Sequence, residues 1–77
     1  MYQEEMYLDE SIKLDFEIPE PLNTEIKEMD KAYYADDIIK WDYYHESIGT
    51  YAKIEHACGR LTHEQLMKIY ERYGTAG

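Results

Sequence analysis

The sequence predicts a mainly α-helical protein built as one small domain, with three helices preceded by a single extended stretch. Three observations predict it. Apolar residues recur at helical spacing through most of the chain after residue 22. Residues that start and stop helices fall where those periodic runs begin and end. Only S-I-K-L-D-F-E-I, residues 11 to 18, alternates apolar and polar side chains at period two, and it runs straight into P-E-P.

In chain order, residues 1–10 carry Tyr2, Met6, Tyr7 and Leu8 among acids and show no clear period. They and residues 75–77 are the segments expected to be flexible. Over 11–18, Ile12, Leu14, Phe16 and Ile18 fall on one face, and Lys13, Asp15 and Glu17 on the other. This is the pattern of a half-buried strand or extended segment. Pro19 and Pro21 stop it, because neither can donate to a ladder.

Asn23 or Thr24 can cap the next element, and Glu25 suits its first turn. Leu22, Ile26, Met29 and Tyr33 then predict a helix over 24–35 with one apolar stripe. The acids at Asp36 and Asp37 predict a break and a new cap. A second helix over 37–58 is apolar on two sides. Ile38, Trp41, Tyr44, Ile48, Tyr51, Ala52 and Cys58 form one stripe, and Ile39, Tyr43, Ile54 and Ala57 another roughly opposite. Such a helix needs covering on both sides, by the rest of the chain or by another molecule. Gly49 suggests a bend or a close crossing, and Gly59 stands where a left-handed C-cap belongs. Thr62 with Gln65 spells a capping box, and Leu66, Ile69, Tyr70 and Tyr73 form a stripe that Gly74 closes. These predict a third helix over 63–73.

A chain of 77 residues buries only about 60% of the surface its unfolded form exposes, so a partner or a second copy could contribute to its stability. The net charge of −9 is lopsided. Residues 1–37 hold twelve acids against Lys13, Lys27 and Lys31, whereas residues 38–77 hold five acids and five bases. A field of this sign repels phosphate backbones and anionic membranes and attracts basic protein surfaces. The same charge would also serve solubility alone. The lone Cys58 forms no internal disulfide and, as a free cysteine in a helical pattern, is expected to be a small buried or half-buried side chain. That fits a reducing, cytoplasmic setting. No apolar run approaches the ~18 residues a membrane span requires.

Catalytic and metal signatures are missing. The chain has no HExxH, no CxxC pair and no phosphate-cradling glycine loop, and His45, His56 and His63 do not share a local ligand spacing. D-K-A-Y-Y-A-D-D lacks the ligand order of a calcium loop. Cys58 and His56, two apart on a helix, point in different directions. Glu55 lies on the main apolar face of the second helix, where a salt bridge to a base of another helix is the simplest expectation. No cofactor is implied, and an enzyme is not expected. The bases are dispersed among acids, which disfavours direct nucleic-acid binding.

Protein recognition remains. Tyr33, Tyr34, Trp41, Tyr43 and Tyr44 crowd into twelve residues beside Asp36, Asp37 and Asp42, and tyrosine and tryptophan favour interfaces. Most of these rings are needed for the core of so small a chain. Tyr34 and Tyr43 are the first expected at the surface. The candidate binding residues are therefore Asp9, Glu10, Asp15, Glu17, Glu20, Glu25, Glu28, Asp30, Tyr34, Asp36, Asp37 and Tyr43.

Across residues 16–74, the stretches I-P-E-P-L, W-D-Y-Y, S-I-G-T-Y-A-K and G-R-L-T-H-E-Q-L-M-K-I-Y-E-R-Y-G resemble small acidic proteins carried by bacterial conjugative elements and prophages. The resemblance implies a mobile-element accessory protein. Its context includes anti-CRISPR and antirestriction inhibitors, some of which act as DNA mimics by presenting carboxylates to the basic cleft of a nuclease. The expected function is thus a non-enzymatic acidic binding module facing a protein with a basic surface. The rival expectation is a homodimer that pairs through residues 11–18, with acidity only for solubility.

Overall fold

The computed structural model describes residues 6–75 and contains α1 (Leu22–Tyr34), α2 (Ile38–Ala57) and α3 (His63–Tyr73) in that order. The helical expectation holds: the described chain is mainly α. The outermost residues expected to be flexible, 1–5 and 76–77, lie outside the described residues. Of residues 6–10, Met6 and Leu8 are buried.

α3 starts and stops where its local chemistry dictates. The Thr62 hydroxyl accepts from the Gln65 amide at 3.1 Å, and the Gln65 side chain accepts from the Thr62 amide at 2.9 Å. Gly74, at φ 63°, closes the last turn. α2 starts at the Asp37 cap, whose carboxylate accepts from the Lys40 amide at 3.1 Å. α1 begins two residues earlier than the Asn23/Thr24 signal indicates. The carboxylate of Glu20 reaches forward to the Thr24 amide at 2.8 Å, and the Asn23 amide already donates to the Pro19 carbonyl at 3.0 Å. A side chain outside the helix thus does the capping that was expected from within it.

Both interhelical turns use the same closure. After α1, the Asp36 amide donates to the Tyr33 carbonyl at 3.2 Å and the Asp37 amide to the Ala32 carbonyl at 2.9 Å. Asp36 sits at φ 58°, a conformation that aspartate tolerates better than most residues. After α2, the Gly59 amide donates to the His56 carbonyl at 3.0 Å and the Arg60 amide to the Glu55 carbonyl at 2.9 Å, with Gly59 at φ 81°. This paired closure is the Schellman motif, which brings the second residue past the helix against its last turn.

α2 is the spine, and both other helices pack on it. Its buried residues Trp41, Ile48, Gly49, Ala52 and Glu55 meet Leu22, Ile26, Met29 and Ala32 of α1 and Leu66, Ile69, Tyr70 and Tyr73 of α3 in one core. Gly49 is buried in α2, and its carbonyl accepts from the Tyr70 hydroxyl of α3 at 3.4 Å.

Residues 11–18 differ from a strand. Among the described residues there is no strand, and this segment is extended without a ladder. The alternation itself is real. Ile12, Leu14, Phe16 and Ile18 are half-buried, and Ser11, Lys13, Asp15 and Glu17 are exposed. Period two therefore recorded contact with a surface and not pairing with another strand. The segment lies along α3 in the opposite direction: Ile12 meets Arg72, Asp15 meets Lys68, and Glu17 and Pro19 border Arg60.

Candidate protein-binding surface

α2 buries one face, and its opposite stripe stays open. Ile39 is 81% exposed and Tyr43 69% exposed, with Ile54 and Ala57 also at the surface, and Tyr51, expected on the covered stripe, is exposed as well. The sequence required cover on both sides, but α1, α3 and the extended segment all contribute to the single core on the other side. Cys58 is likewise exposed, contrary to expectation, because it falls after the helix at the turn.

Beside this stripe, Tyr43, Tyr44, Glu46, Ser47, Thr50 and Tyr51 of α2 and Glu25 of α1 line a groove of about 570 Å3. The rings of Tyr43 and Tyr44 stand edge to face, 5.1 Å apart at 74°. Ser47 donates its hydroxyl to a Glu25 oxygen at 2.9 Å, which ties the carboxylate to α2 across the helix pair. The lining contains two carboxylates and no basic residue. Glu46, Ser47 and Thr50 are not singled out by the sequence, and Tyr44 and Tyr51 stand there as stripe residues and not as binding candidates. Their signal was the spacing of Tyr43, Ser47, Thr50 and Tyr51 on one flank of α2, but the contribution of Glu25, 22 residues away, has no local mark.

The candidate acids fall into different settings. Glu25 and Tyr43 share the groove. Asp36 and Asp37 form the α1–α2 turn. Glu20 caps α1. Glu28 lies between Lys31 at 3.2 Å and Lys40 at 3.3 Å, and these ammonium groups, Lys31 first, hold its carboxyl below the usual range. Asp9 accepts from the Ser11 hydroxyl at 2.6 Å and from its amide at 3.0 Å, which lowers its pKa as well. Asp15 pairs with Lys68 at 3.6 Å, and Glu17 is exposed beside Pro19 and Arg60. Tyr34, exposed as expected, donates to Glu10, and that bond raises the pKa of its phenol.

Asp30 has an internal task. Tyr73, fully buried, donates its hydroxyl to Asp30 Oδ1 at 2.6 Å, and Arg72 Nη2 lies 3.5 Å from Asp30 Oδ2. Arg72 also donates to the Ile12 carbonyl at 2.6 Å and to the Tyr73 hydroxyl at 3.2 Å. In return, the Asp9 amide donates to the Arg72 carbonyl at 2.8 Å. Burial first, then the bond to Asp30, pushes the Tyr73 phenol well above the ordinary tyrosine range. Arg72 is one of the five bases of residues 38–77, and nothing in its local sequence marks this cluster. Glu55 is buried and paired as expected, but its partner is Arg60 in the turn after α2, with Nε at 2.7 Å, and not a base on another helix. The Schellman closure explains the pairing, because it sets Arg60 against the last turn, where an apolar contact is more usual.

Among the described residues, no group of three His, Cys, Asp or Glu side chains is placed to hold a metal ion, and no helix is long and apolar enough to cross a membrane. The described surface brings together an exposed apolar stripe, a groove lined by tyrosines and dispersed carboxylates. No protein-family model, curated protein or solved structure matches this chain at a significant level.

Proposed function

We propose that this protein is a non-enzymatic, acidic binding module whose partner is a protein with a basic, nucleic-acid-binding surface. The observation that carries this reading is the open stripe of α2, where Ile39 and Tyr43 stand exposed within a chain of net charge −9. Apolar anchors provide contact area that charge alone lacks, and the net negative charge of the molecule, concentrated in residues 1–37, favours basic partners and speeds encounter. DNA mimicry of the anti-CRISPR or antirestriction kind is the specific form of this reading that the charge favours, with a nuclease as the partner and the bacterial cytoplasm as the setting. The dispersal of the acids over several settings places the emphasis on the whole field and not on one row of carboxylates.

The test is affinity capture from a bacterial lysate with the full chain and with Ile39→Ser/Tyr43→Ser as bait. The expected captured protein is released by duplex DNA and by moderate salt, and is lost with the double variant. A bound protein that ignores both DNA and ionic strength would overturn the reading. The competing homodimer draws on the unladdered backbone of residues 11–18. Against it, Leu14, Phe16 and Ile18 already pack on the chain's own core, and two copies would bring like charges together. Light scattering at micromolar concentration separates the two, a monomer being expected.

A further inference from the structure

The geometry points to the groove between α1 and α2 as a receptor for an arginine side chain presented by the basic partner. This rests on the binding reading above and names the contact that would anchor it. Four features decide the chemistry of the occupant. The Tyr43 and Tyr44 rings form a corner, 5.1 Å between centroids and 74° between planes, and the π faces of such rings attract cations. Glu25 and Glu46 both line this space, and no lysine, arginine or histidine lines it to neutralise them. One Glu25 oxygen lies 2.9 Å from the Ser47 hydroxyl, whose single proton it shares with the Tyr44 carbonyl at 3.1 Å, so one acceptor already stands against α2 before any ligand arrives. The groove's volume of about 570 Å3 exceeds what a single side chain fills, leaving space for the flanking residues of a peptide.

An anion is repelled by this lining, and an apolar ligand would strand two carboxylates out of water. A cation is required, and its shape discriminates further. Guanidinium is planar, stacks on tyrosine and offers paired donors that match a carboxylate. An ammonium is a compact, strongly hydrated point charge and does neither as well. Arginine is therefore preferred over lysine.

The experiment is an NMR titration of the full chain, isotope-labelled, with three capped tripeptides that differ only in the central residue: arginine, lysine or citrulline. Citrulline keeps the shape of arginine and removes its charge. The expected result is saturable shifts at the amides of Tyr43, Tyr44, Ser47 and Tyr51 with the arginine peptide, in the range of roughly 1 mM affinity. Binding should be about 3–10-fold weaker with lysine and lost with citrulline. Tyr44→Ala and Glu46→Gln should each weaken arginine binding by a similar factor of about 3–10. Equal response to citrulline, shifts centred on residues 9–17 instead of the groove, or no groove response at all would overturn the assignment. Should the arginine peptide fail while capture by Ile39 and Tyr43 remains sensitive to DNA and salt, the groove assignment falls and the binding function stands. If both fail, the function falls as well.

Discussion

Two clusters show how single residues set the stability of so small a core. Tyr73 is wholly buried, and its hydroxyl has Asp30 as acceptor. Tyr73→Phe keeps the packing and removes that bond, so a loss of about 1–2 kcal/mol at neutral pH is expected in urea unfolding. The pH dependence has a definite sign. Folding favours the neutral phenol, so its pKa is raised in the folded chain above the ordinary 10.0. The stability this supplies is complete below pH 10.0 and is lost as the pH rises through the higher folded value. The wild-type chain should therefore lose stability steeply above pH 10.0, and Tyr73→Phe should lose it less steeply. Urea midpoints across that range check this. At the end of α2, Glu55 is buried against Arg60. Arg60→Ala strands a carboxylate and should lower the urea midpoint more than Arg60→Lys, which keeps the charge without the fork.

Helices were legible wherever their signals were local. α3 was readable to the residue because Thr62, Gln65 and Gly74 act within one turn of the helix they bound. The start of α1 was misplaced because Glu20 caps it from outside, through a contact that the spacing of Asn23 and Thr24 does not encode. Residues 11–18 read as a strand because period two marks half-burial equally for a strand and for an unpaired extended chain. What separates them is a neighbouring ladder, which no local pattern reveals. Helix ends also yield a paired prediction. Gly59 and Gly74 both have positive φ, but a Cβ on Gly59 meets nothing within 4 Å, whereas one on Gly74 would lie 3.0 Å from Tyr7 Cδ1. Gly59→Ala should cost about 1 kcal/mol from backbone strain alone, and Gly74→Ala more. Adding Tyr7→Ala to the latter should remove the excess, which a double-mutant cycle measures.

At the level of the whole molecule, the binding surface was half legible. Tyr34 and Tyr43 were rightly placed outside, since one core cannot hold every ring in a chain this short. The open state of Ile39 and Ile54 was not legible, because an amphipathic pattern states that a face needs cover and not whether the chain supplies it. Asp30 shows the converse: an acid that composition assigned to the surface field instead holds Tyr73 and Arg72. The open stripe predicts that Ile39→Ser and Tyr43→Ser each change unfolding free energy by no more than about 0.5 kcal/mol, as surface positions do. The charge predicts an unusual response to salt. With 17 acids against 8 bases, self-repulsion outweighs the few surface pairs, so the melting temperature should rise between low and physiological ionic strength. Thermal unfolding in a sodium chloride series checks both the sign and the saturation.

The clamp of Arg72 on the N-terminal segment has a consequence for how the protein is made. Its two ends lie 63 and 60 residues apart in sequence, from Asp9 and Ile12 to Arg72. A ribosome adding about 5–20 residues each second delivers the segment roughly 3–12 s before its anchor exists. Through that interval the contacts of Asp9 and Ile12 to Arg72 and of Asp15 to Lys68 cannot form, and the core on which Leu14, Phe16 and Ile18 pack lacks its α3 residues, so the outer layer assembles only after α3 is released. A nascent chain stalled before Arg72 should therefore remain open to protease at residues 6–18, and one released past it should not.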